Sequence, residues 1–368
     1  MVGAGICGAD IRVVRGDKVA TGDAHRPVRL GHEGIGIIEQ IGAGATHLMI
    51  GDHVVVLPHY FPADHATYCA SSTVVPECIG QSHTRHSGWD VDGVWGDMVI
   101  APCTHLVQVD PAFVRQAEAS APHLGVALFA WTEPMLCVLS AYELMARQLT
   151  LLQRPPMSGK RALIIGCGPI GILYAVALRK YGFSLCFADQ EAARIRLAQD
   201  CLEGGVAYQG ERDFDLVMVA ASSLGAIKMG ESVTADGALL YLFAGLNTSE
   251  RSSTDDSGML SYERMHRAAR AVWTTQSDGR RILYLGHSGY FDHLAPQAVA
   301  MVAASGVALG RAVTGVIPGW ASPTIEAHAD GVSDWTSADG SPALLHVLRG
   351  LDLRAGHGKL MITCAGER

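Results

Sequence analysis

The stretch from Arg161 to Gly171 limits the possible folds of this chain more than any other segment. It reads RALIIGCGPIG, an apolar and β-branched run that leads into a G-x-G-x-x-G turn and then into a helical pattern. Glycines let such a turn bend tightly and approach a pyrophosphate, and the N–H groups of the following helix attract the phosphate charge. The segment therefore predicts a strand, a turn and a helix that together bind a dinucleotide.

The predicted cofactor contacts centre on this turn, at Gly166, Gly168, Pro169, Ile170 and Gly171. Asp189 follows the next predicted strand, about twenty residues on, where a carboxylate hydrogen-bonds the adenosine ribose and repels a 2′-phosphate. We therefore expect NAD(H) in preference to NADP(H), with Arg194 as a cation that softens the preference. The alternative role for Asp189 is a cap on the next helix.

The pattern after a linker at 154–159 alternates strands with helices, which predicts a parallel, doubly wound sheet. The predicted strands are 162–165, 184–188, 216–220, 238–243 and 282–285. Before the linker, short β-like runs suit a small curved barrel, with a helical pattern at 119–146. These runs lie at 34–41, 51–56, 94–101 and 105–109.

The C-terminal part is predicted to complete the first domain, so that the domains are 1–150 with 309–368, and 151–308. Strands at 312–317 and 359–363 flank a helix near 344–348, and the polar stretch 247–258 is predicted to be a mobile loop.

Composition excludes several other classes of protein. With 368 residues, 49% of them hydrophobic and 17% charged, the chain has ample material for about two packed domains. A net charge of −8 without a basic stripe argues against nucleic acid as a partner. Nine scattered cysteines without a C-x-x-C pair indicate a reducing cytoplasm. No secretory signal is visible, and the apolar stretch 162–178 fits the strand and helix better than a membrane span.

Three short strings carry the side chains that Zn²⁺ takes in catalytic sites: Cys7-Gly-Ala-Asp, Gly31-His32-Glu33 and Glu133-Pro134. Together with the glycine turn, they indicate hydride transfer at a zinc-polarised carbonyl or alcohol. The other interpretation of each residue is structural: a core cysteine, a packed histidine and acids on helix surfaces.

These strings resemble those of the zinc-dependent medium-chain dehydrogenases of the alcohol dehydrogenase superfamily, in the style of its polyol, sugar and threonine branch. The residues from Val2 to Asp10 are similar to the first metal strand of that family, 31–34 to its G-H-E signature, and 358–362 to its last strand. The resemblance implies an α/β protein with a GroES-like β-barrel catalytic domain and a Rossmann cofactor domain.

The resemblance also implies the metal ligands. Cys7 and His32 would bind zinc directly, while Glu33 and Glu133 share the remaining position and the bound water. The expected catalytic residues are Glu133 and Glu33, with Arg12 as a contact for an anionic group or a surface arginine.

The chain departs from the family pattern in three places. Ala9 and Arg12 stand where the family carries a hydroxyl and a histidine that relay a proton, so the expected proton path uses Glu133, water or the substrate. Of the four cysteines of the structural zinc only Cys69 and Cys78 remain, near Asp64 and His65, and we expect that zinc to be absent; the alternative is a four-coordinate site closed by Cys and His. The chain begins within the first metal strand, so either its start is late or the barrel lacks its opening strands, which would leave an edge for another chain.

The leading hypothesis is an NAD(H)-linked, zinc-dependent oxidoreductase acting on a polyol, sugar or aminocyclitol, with a natural-product pathway such as aminoglycoside assembly as its setting. A homodimer or homotetramer in the cytoplasm is expected. Two alternatives remain open: a zinc-free NAD(P)H-dependent carbonyl or enone reductase, and a non-catalytic dinucleotide-binding partner protein.

Overall fold

The computed structural model describes residues 1–14, 28–42, 44–60, 84–156, 159–246, 262, 265–318 and 358–363. Its contacts divide these residues into two units, one formed by residues up to 136 and from 292 onward, the other by 137–291. The predicted domain boundaries at 150/151 and 308/309 stay a prediction. The predicted loop at 247–258, the predicted helix at 344–348 and the residues Asp64, His65, Cys69 and Cys78 lie outside the described residues.

The first unit holds a six-stranded sheet in its described part, in the order β14-β15-β1-β2-β3-β6. The strands are β1 (Gly3–Ile6), β2 (Glu33–Ile37), β3 (His53–Val56), β6 (Leu106–Gln108), β14 (Val313–Pro318) and β15 (Lys359–Thr363). Neighbours are antiparallel except β14 and β15. Two short strands, β4 (His59–Tyr60) and β5 (Arg85–His86), pair separately.

The second unit holds a seven-stranded sheet in its described part, in the order β12-β13-β11-β10-β7-β8-β9. The strands are β7 (Arg161–Ile165), β8 (Ser184–Ala188), β9 (Val206–Ala207), β10 (Phe214–Val219), β11 (Thr234–Leu242), β12 (Val272–Thr275) and β13 (Arg281–Gly286). All pair in parallel except β12, which is antiparallel to β13. This is the predicted doubly wound sheet.

The described helices alternate with strands in the second unit, as predicted for that part of the chain. They are α1 (Gly8–Val14), α2 (Pro111–Ser120), α3 (Thr132–Leu151), α4 (Pro169–Lys180), α5 (Ala192–Cys201), α6 (Leu224–Val233), α7 (Ala295–Ala304) and α8 (Gly306–Ala312). Helix α2 shows how local sequence sets a boundary. Asp110 caps it through a hydrogen bond from the Ala112 N–H, and Pro111 occupies its first position.

Five strands of the second unit, β7, β8, β10, β11 and β13, form where sequence predicted them because their apolar runs are buried on both faces, whereas β9 and β12 were not predicted. Leu163, Val217, Leu240 and Ile282 come from four neighbouring strands and share one core. In the first unit Ala4, Ile6, Val56 and Ile362 pack together with Trp95. The predicted α/β fold class is thereby confirmed.

One predicted strand is wrong. Residues 94–101 form bends and irregular backbone, although Val94 and Trp95 are buried. The backbone there follows the turn at 29–31: the N–H of Val94 bonds the carbonyl of Gly31, and the N–H of Trp95 bonds that of Leu30. The apolar residues reflect packing against this turn and not a strand face.

The stretch Gly125–Leu151, a 3₁₀ helix continuing into α3, is long and apolar enough to cross a membrane, but 78% of its apolar 18-residue window is buried within the protein. The pair at 292–312 passes the same test only if a bend of 81° is ignored. Burial of this kind is typical of the core helix of a globular protein.

Candidate metal centre and dinucleotide turn

The pairing of β1 with β2 brings the first two predicted metal strings together. Gly5 lies opposite Glu33 in the antiparallel register, so Cys7, just beyond β1, meets His32, just before β2. The candidate donor atoms of Cys7, His32 and Glu33 all lie within 4.8 Å of one another. His32 and Glu33 are buried and Cys7 is half-buried. The structure thus groups three of the predicted ligands.

Gly31 explains why the second string begins with glycine. Its φ is +93°, in the left-handed region that side chains rarely adopt, and a Cβ there would collide with the ring of Trp95. Trp95 in turn donates its indole N–H to the carbonyl of Gly5 at 3.3 Å. The turn that presents His32 is therefore fixed against β1.

Asp10 has a role at this site that sequence reasoning missed. It is fully buried, its Oδ1 lies 3.2 Å from His32 Nδ1, and its Oδ2 accepts the N–H of Cys7 at 3.0 Å. Burial lowers the pKa of His32, but the charges of Asp10 and Cys7 raise it, and the net pKa lies well above the ordinary value. One carboxylate thus orients both candidate ligands. Its only sequence signal is its place in α1, three residues after Cys7.

Glu33 forms a buried ion pair with Lys359 on β15, and both side chains are almost completely enclosed. The ammonium also lies 5.4 Å from the centre of the Trp131 ring. Gly5 leaves room for this pair, because a Cβ at that position would overlap the Glu33 carboxylate. The sequence predicted a strand at 359–363 but not the ion pair between Lys359 and Glu33, because no local pattern indicates it.

The other predicted site residues lie on nearby elements of the first unit. Glu133 is buried in the first turn of α3, two residues after Trp131, and is not part of the three-residue donor group among the described residues. Arg12 lies on α1 and is half-exposed. Their predicted roles stay predictions.

An aromatic wall, formed by His86, Trp89 and His59, flanks His32 and was not predicted. The His86 ring lies 5.3 Å from that of His32 and stacks on Trp89 at 4.3 Å. The His59 and His86 rings lie 4.3 Å apart. Burial, with the charges of His32 and His105, lowers the pKa of His59 to about 3, so this side chain is neutral at physiological pH.

The grouped donors fit zinc. Zinc binds thiolate sulfur at about 2.3 Å and imidazole nitrogen or carboxylate oxygen at about 2.0–2.2 Å, so tetrahedral donors stand roughly 3.3–3.8 Å apart. Donor atoms within 4.8 Å need only small side-chain movements to reach that spacing. The Asp10 carboxylate beside Nδ1 of His32 is a contact of the kind that supports a metal-binding histidine, with Nε2 as the nitrogen that would bind the ion.

The dinucleotide turn lies in the second unit at the carboxyl end of β7. Gly166 has a φ of +98°, and its N–H bonds the carbonyl of Ala188 at 2.8 Å. A Cβ on Gly171 would overlap the carbonyl of Gly166, so helix α4 packs tightly onto the strand. A Cβ on Gly168 would meet nothing within 4 Å. Gly168, the N-cap of α4, therefore leaves space for a phosphate at the helix N-terminus.

Asp189 lies beside this turn, as predicted, but its carboxylate is already engaged. Oδ2 accepts the N–H of Cys167 at 2.7 Å, Oδ1 accepts the N–H of Glu191 at 2.9 Å, and Arg194 lies 3.9 Å away. Burial and the Asp189 charge raise the pKa of the Cys167 thiol to about 12, although Arg194 opposes the shift. Asp189 thus ties β8 to the turn.

Comparison with known proteins agrees with this architecture. Residues 1–111 match the alcohol dehydrogenase GroES-like domain. L-threonine 3-dehydrogenase of Bacillus velezensis is 27% identical over 272 residues, 69% of each chain. Two solved structures share the fold over nearly the whole chain: galactitol-1-phosphate dehydrogenase of Escherichia coli (TM-score 0.68, 16% identity, 98% of this chain and 90% of that one) and Haloferax mediterranei glucose dehydrogenase in complex with NADP, Zn and gluconolactone (TM-score 0.68, 15% identity, 99% and 91%).

The fold and the donor group define a dehydrogenase with a GroES-like domain and a dinucleotide-binding sheet. The match of residues 1–111 and the named dehydrogenase relatives confirm the resemblance drawn from the sequence motifs, which is to the zinc-dependent medium-chain dehydrogenases of the alcohol dehydrogenase superfamily.

Proposed function

We propose that this chain is a zinc-dependent oxidoreductase that transfers hydride between NAD(H) and a hydroxyl or ketone group of a polyol, sugar or aminocyclitol. The observation that carries the proposal is the grouping of Cys7, His32 and Glu33 in a chain that also has a dinucleotide turn. The named relatives, a threonine and a glucose dehydrogenase, support a small polar alcohol as substrate. We propose a cytoplasmic homodimer or homotetramer, a natural-product pathway as its setting, and domains at 1–150 with 309–368 and at 151–308.

The residues of the metal centre have different roles in this proposal. Zinc, when bound, supplies a Lewis acid that polarises the substrate oxygen. Cys7 and His32 hold the ion, and Asp10 fixes the ring of His32. Lys359 lies against Glu33, so this buried carboxylate has an opposite charge beside it. Glu133 exchanges a proton with the substrate or water, because Ala9 cannot do so.

The cofactor residues hold the dinucleotide in this proposal. The turn at Gly166, Gly168 and Gly171, with Pro169 and Ile170 opening α4, receives the pyrophosphate. Asp189 favours NAD(H) through its charge, and Arg194 limits that preference. Replacing Asp189 by alanine should narrow the ratio of NADH to NADPH affinity, measured by fluorescence titration. A wild-type protein that prefers NADPH would contradict this part of the proposal.

The decisive experiment measures zinc and turnover together. We expect the purified chain to hold one zinc ion at the centre and to oxidise NADH with some member of a polyol, sugar and ketone panel. Cys7→Ser should lose both the metal and the turnover while keeping its circular dichroism spectrum. Cys103→Ser is the matched control, since Cys103 is a half-buried cysteine of the same unit outside the donor group.

Two results would overturn the proposal in different ways. Full activity in metal-free protein would identify a zinc-free reductase. Tight NADH binding without turnover on the whole panel would identify a non-catalytic nucleotide-binding protein.

The role of Glu133 has its own test. General acid–base assistance contributes about 10²–10⁴-fold in rate, so Glu133→Gln should lower kcat by that order even where zinc content is unchanged. Ala9→Ser should change kcat little, because no histidine stands at position 12 to continue a relay. Normal kcat in Glu133→Gln with full zinc would remove Glu133 from the mechanism.

A further inference from the structure

A cavity of about 340 Å³ lies in the second unit, at the amino-terminal edge of its sheet. Its main walls are Tyr142, Met145, Leu149, Arg154, Phe183 and Leu216. Arg154 precedes β7 and Phe183 directly precedes β8, whereas the Gly166 turn follows β7 at the opposite edge. Strand β7 separates the two edges by roughly 16 Å. The cavity is therefore distinct from the proposed dinucleotide site.

The walls of the cavity are largely apolar and fixed in place. Tyr142, Met145 and Leu149 stand three and four residues apart on α3, so they share one face of the helix. Met145 and Leu149 are buried, and the Tyr142 ring stacks on Tyr181 at 3.7 Å with an interplanar angle of 5°. Phe183 completes the wall from the sheet side. These side chains suit a rigid hydrophobic body.

Arg154 is the one charged side chain among the described residues that line the cavity. Its guanidinium lies over the Trp273 ring, 5.5 Å from the ring centre, which holds it at the cavity. Its Nη1 is buried and donates no hydrogen bond to any described residue. A buried donor without an acceptor is unfavourable, and ionised oxygens such as those of a carboxylate are strong acceptors for a guanidinium.

We propose that this cavity binds a small amphipathic carboxylate, with an aromatic or branched aliphatic body between Tyr142, Leu149 and Phe183 and its carboxylate on Arg154. The volume lies within the usual range of about 300–1,000 Å³ for small-molecule sites. An apolar wall with a single convergent cation selects this chemistry over a neutral alcohol or an amine. The carboxylate ligand and the dinucleotide would bind at separate sites and at the same time.

The test uses 4-phenylbutanoate as the probe and 4-phenylbutan-1-ol as its neutral match, titrated by calorimetry into the full chain. We expect one saturable site at which the carboxylate binds at least about tenfold more tightly than the alcohol. Arg154→Met keeps the apolar stem and should weaken the carboxylate by about tenfold or more. Arg281→Met is the control, because Arg281 also lies over Trp273, at 4.7 Å, but does not line the cavity.

A second variant tests the proposal independently, in case Arg154→Met does not fold. Ala146 lies on the cavity face of α3 with its side chain exposed, so Ala146→Phe should fill the space and abolish binding of both probes without touching the arginine. Saturating NADH should leave the probe affinity unchanged. The proposal would be overturned if the two probes bound with equal affinity, or if no saturable binding occurred at millimolar probe. It would also be overturned if Arg154→Met or Ala146→Phe bound the probe as the wild type does, or if NADH displaced the probe.

Discussion

The dinucleotide turn comes from one continuous segment, 161–171, whereas the candidate metal centre joins Cys7 and Glu33 to Lys359, 326 residues beyond Glu33. The turn is defined by backbone: a left-handed glycine, a close helix and an uncapped N-terminus. The centre is defined by side chains that neutralise one another inside the protein. A motif made of backbone geometry can be recognised from one short segment of sequence. A site made of paired charges cannot, because its partners come from distant parts of the chain.

The largest effect that tests this comparison between the turn and the metal centre is expected when the buried ion pair of Glu33 and Lys359 is broken. Lys359→Met should lower the free energy of unfolding by about 3–5 kcal/mol, because Glu33 would keep a buried charge without its partner. Chemical denaturation followed by circular dichroism measures the change. Lys359→Met combined with Glu33→Gln should recover most of the loss, since both charges are then absent.

An exposed ion pair of the second unit provides the control. Lys160 and Asp215 lie 3.6 Å apart and are each more than one-third exposed. Lys160→Met should therefore change the unfolding free energy by less than about 1 kcal/mol. Equal losses in Lys359→Met and Lys160→Met would show that burial does not distinguish the two pairs.

The turn should be most sensitive where backbone meets backbone. Gly171→Ala places a methyl group on the carbonyl of Gly166 and should destabilise the protein by about 1–3 kcal/mol. Gly168→Ala meets nothing within 4 Å, so its unfolding midpoint should stay near wild type. NADH affinity should nonetheless fall in Gly168→Ala, because the methyl group occupies the space proposed for the phosphate. A large loss of stability in Gly168→Ala would contradict this assignment.

A smaller effect is expected at Asp10. Asp10→Asn keeps the size of the side chain but removes the charge beside His32, and loss of such a supporting contact weakens metal binding by about 10–100-fold. Competition with a zinc-binding dye gives the affinity. Unchanged zinc affinity would show that the turn at Gly31 is enough to orient His32.

The smallest effect is expected for the reactivity of Cys167, a cysteine of the turn, which is compared with the reactivity of the exposed thiols of the unfolded chain. Because burial raises the pKa of Cys167 to about 12, this thiol should remain unmodified by iodoacetamide at neutral pH. Peptide mass spectrometry reports the modification, and the same reagent on urea-unfolded protein is the control. Rapid labelling of Cys167 in the folded chain would mean that the turn opens readily.

Sequence was sufficient for those parts of the molecule that depend on local pattern. It predicted β8 and β15 with their observed bounds, and Gly166 and Asp189 at the turn. It placed 94–101 in a strand because this short apolar run is bounded by turn residues, although the backbone of Val94 and Trp95 pairs with the irregular segment at 30–31. It gave no role to Asp10 or Lys359, since an isolated acid or base does not reveal which buried charge it will meet. The aromatic wall was missed because His86 and Trp89 carry no spacing that distinguishes them from core residues.

The pairing of β1 with β15 also sets the order of events when the protein is made. Gly3 to Ile6 have Leu360 to Thr363 as their partners on one side, so residues 3–6 are synthesised long before the strand with which they pair. At roughly 5–20 residues per second, the interval between Glu33 and Lys359 is about 16–65 s of synthesis. During that time the Glu33 carboxylate lacks its lysine and the edge of β1 lacks its neighbour, so the sheet of the first unit stays incomplete while residues 137–291 of the second unit are synthesised without a break.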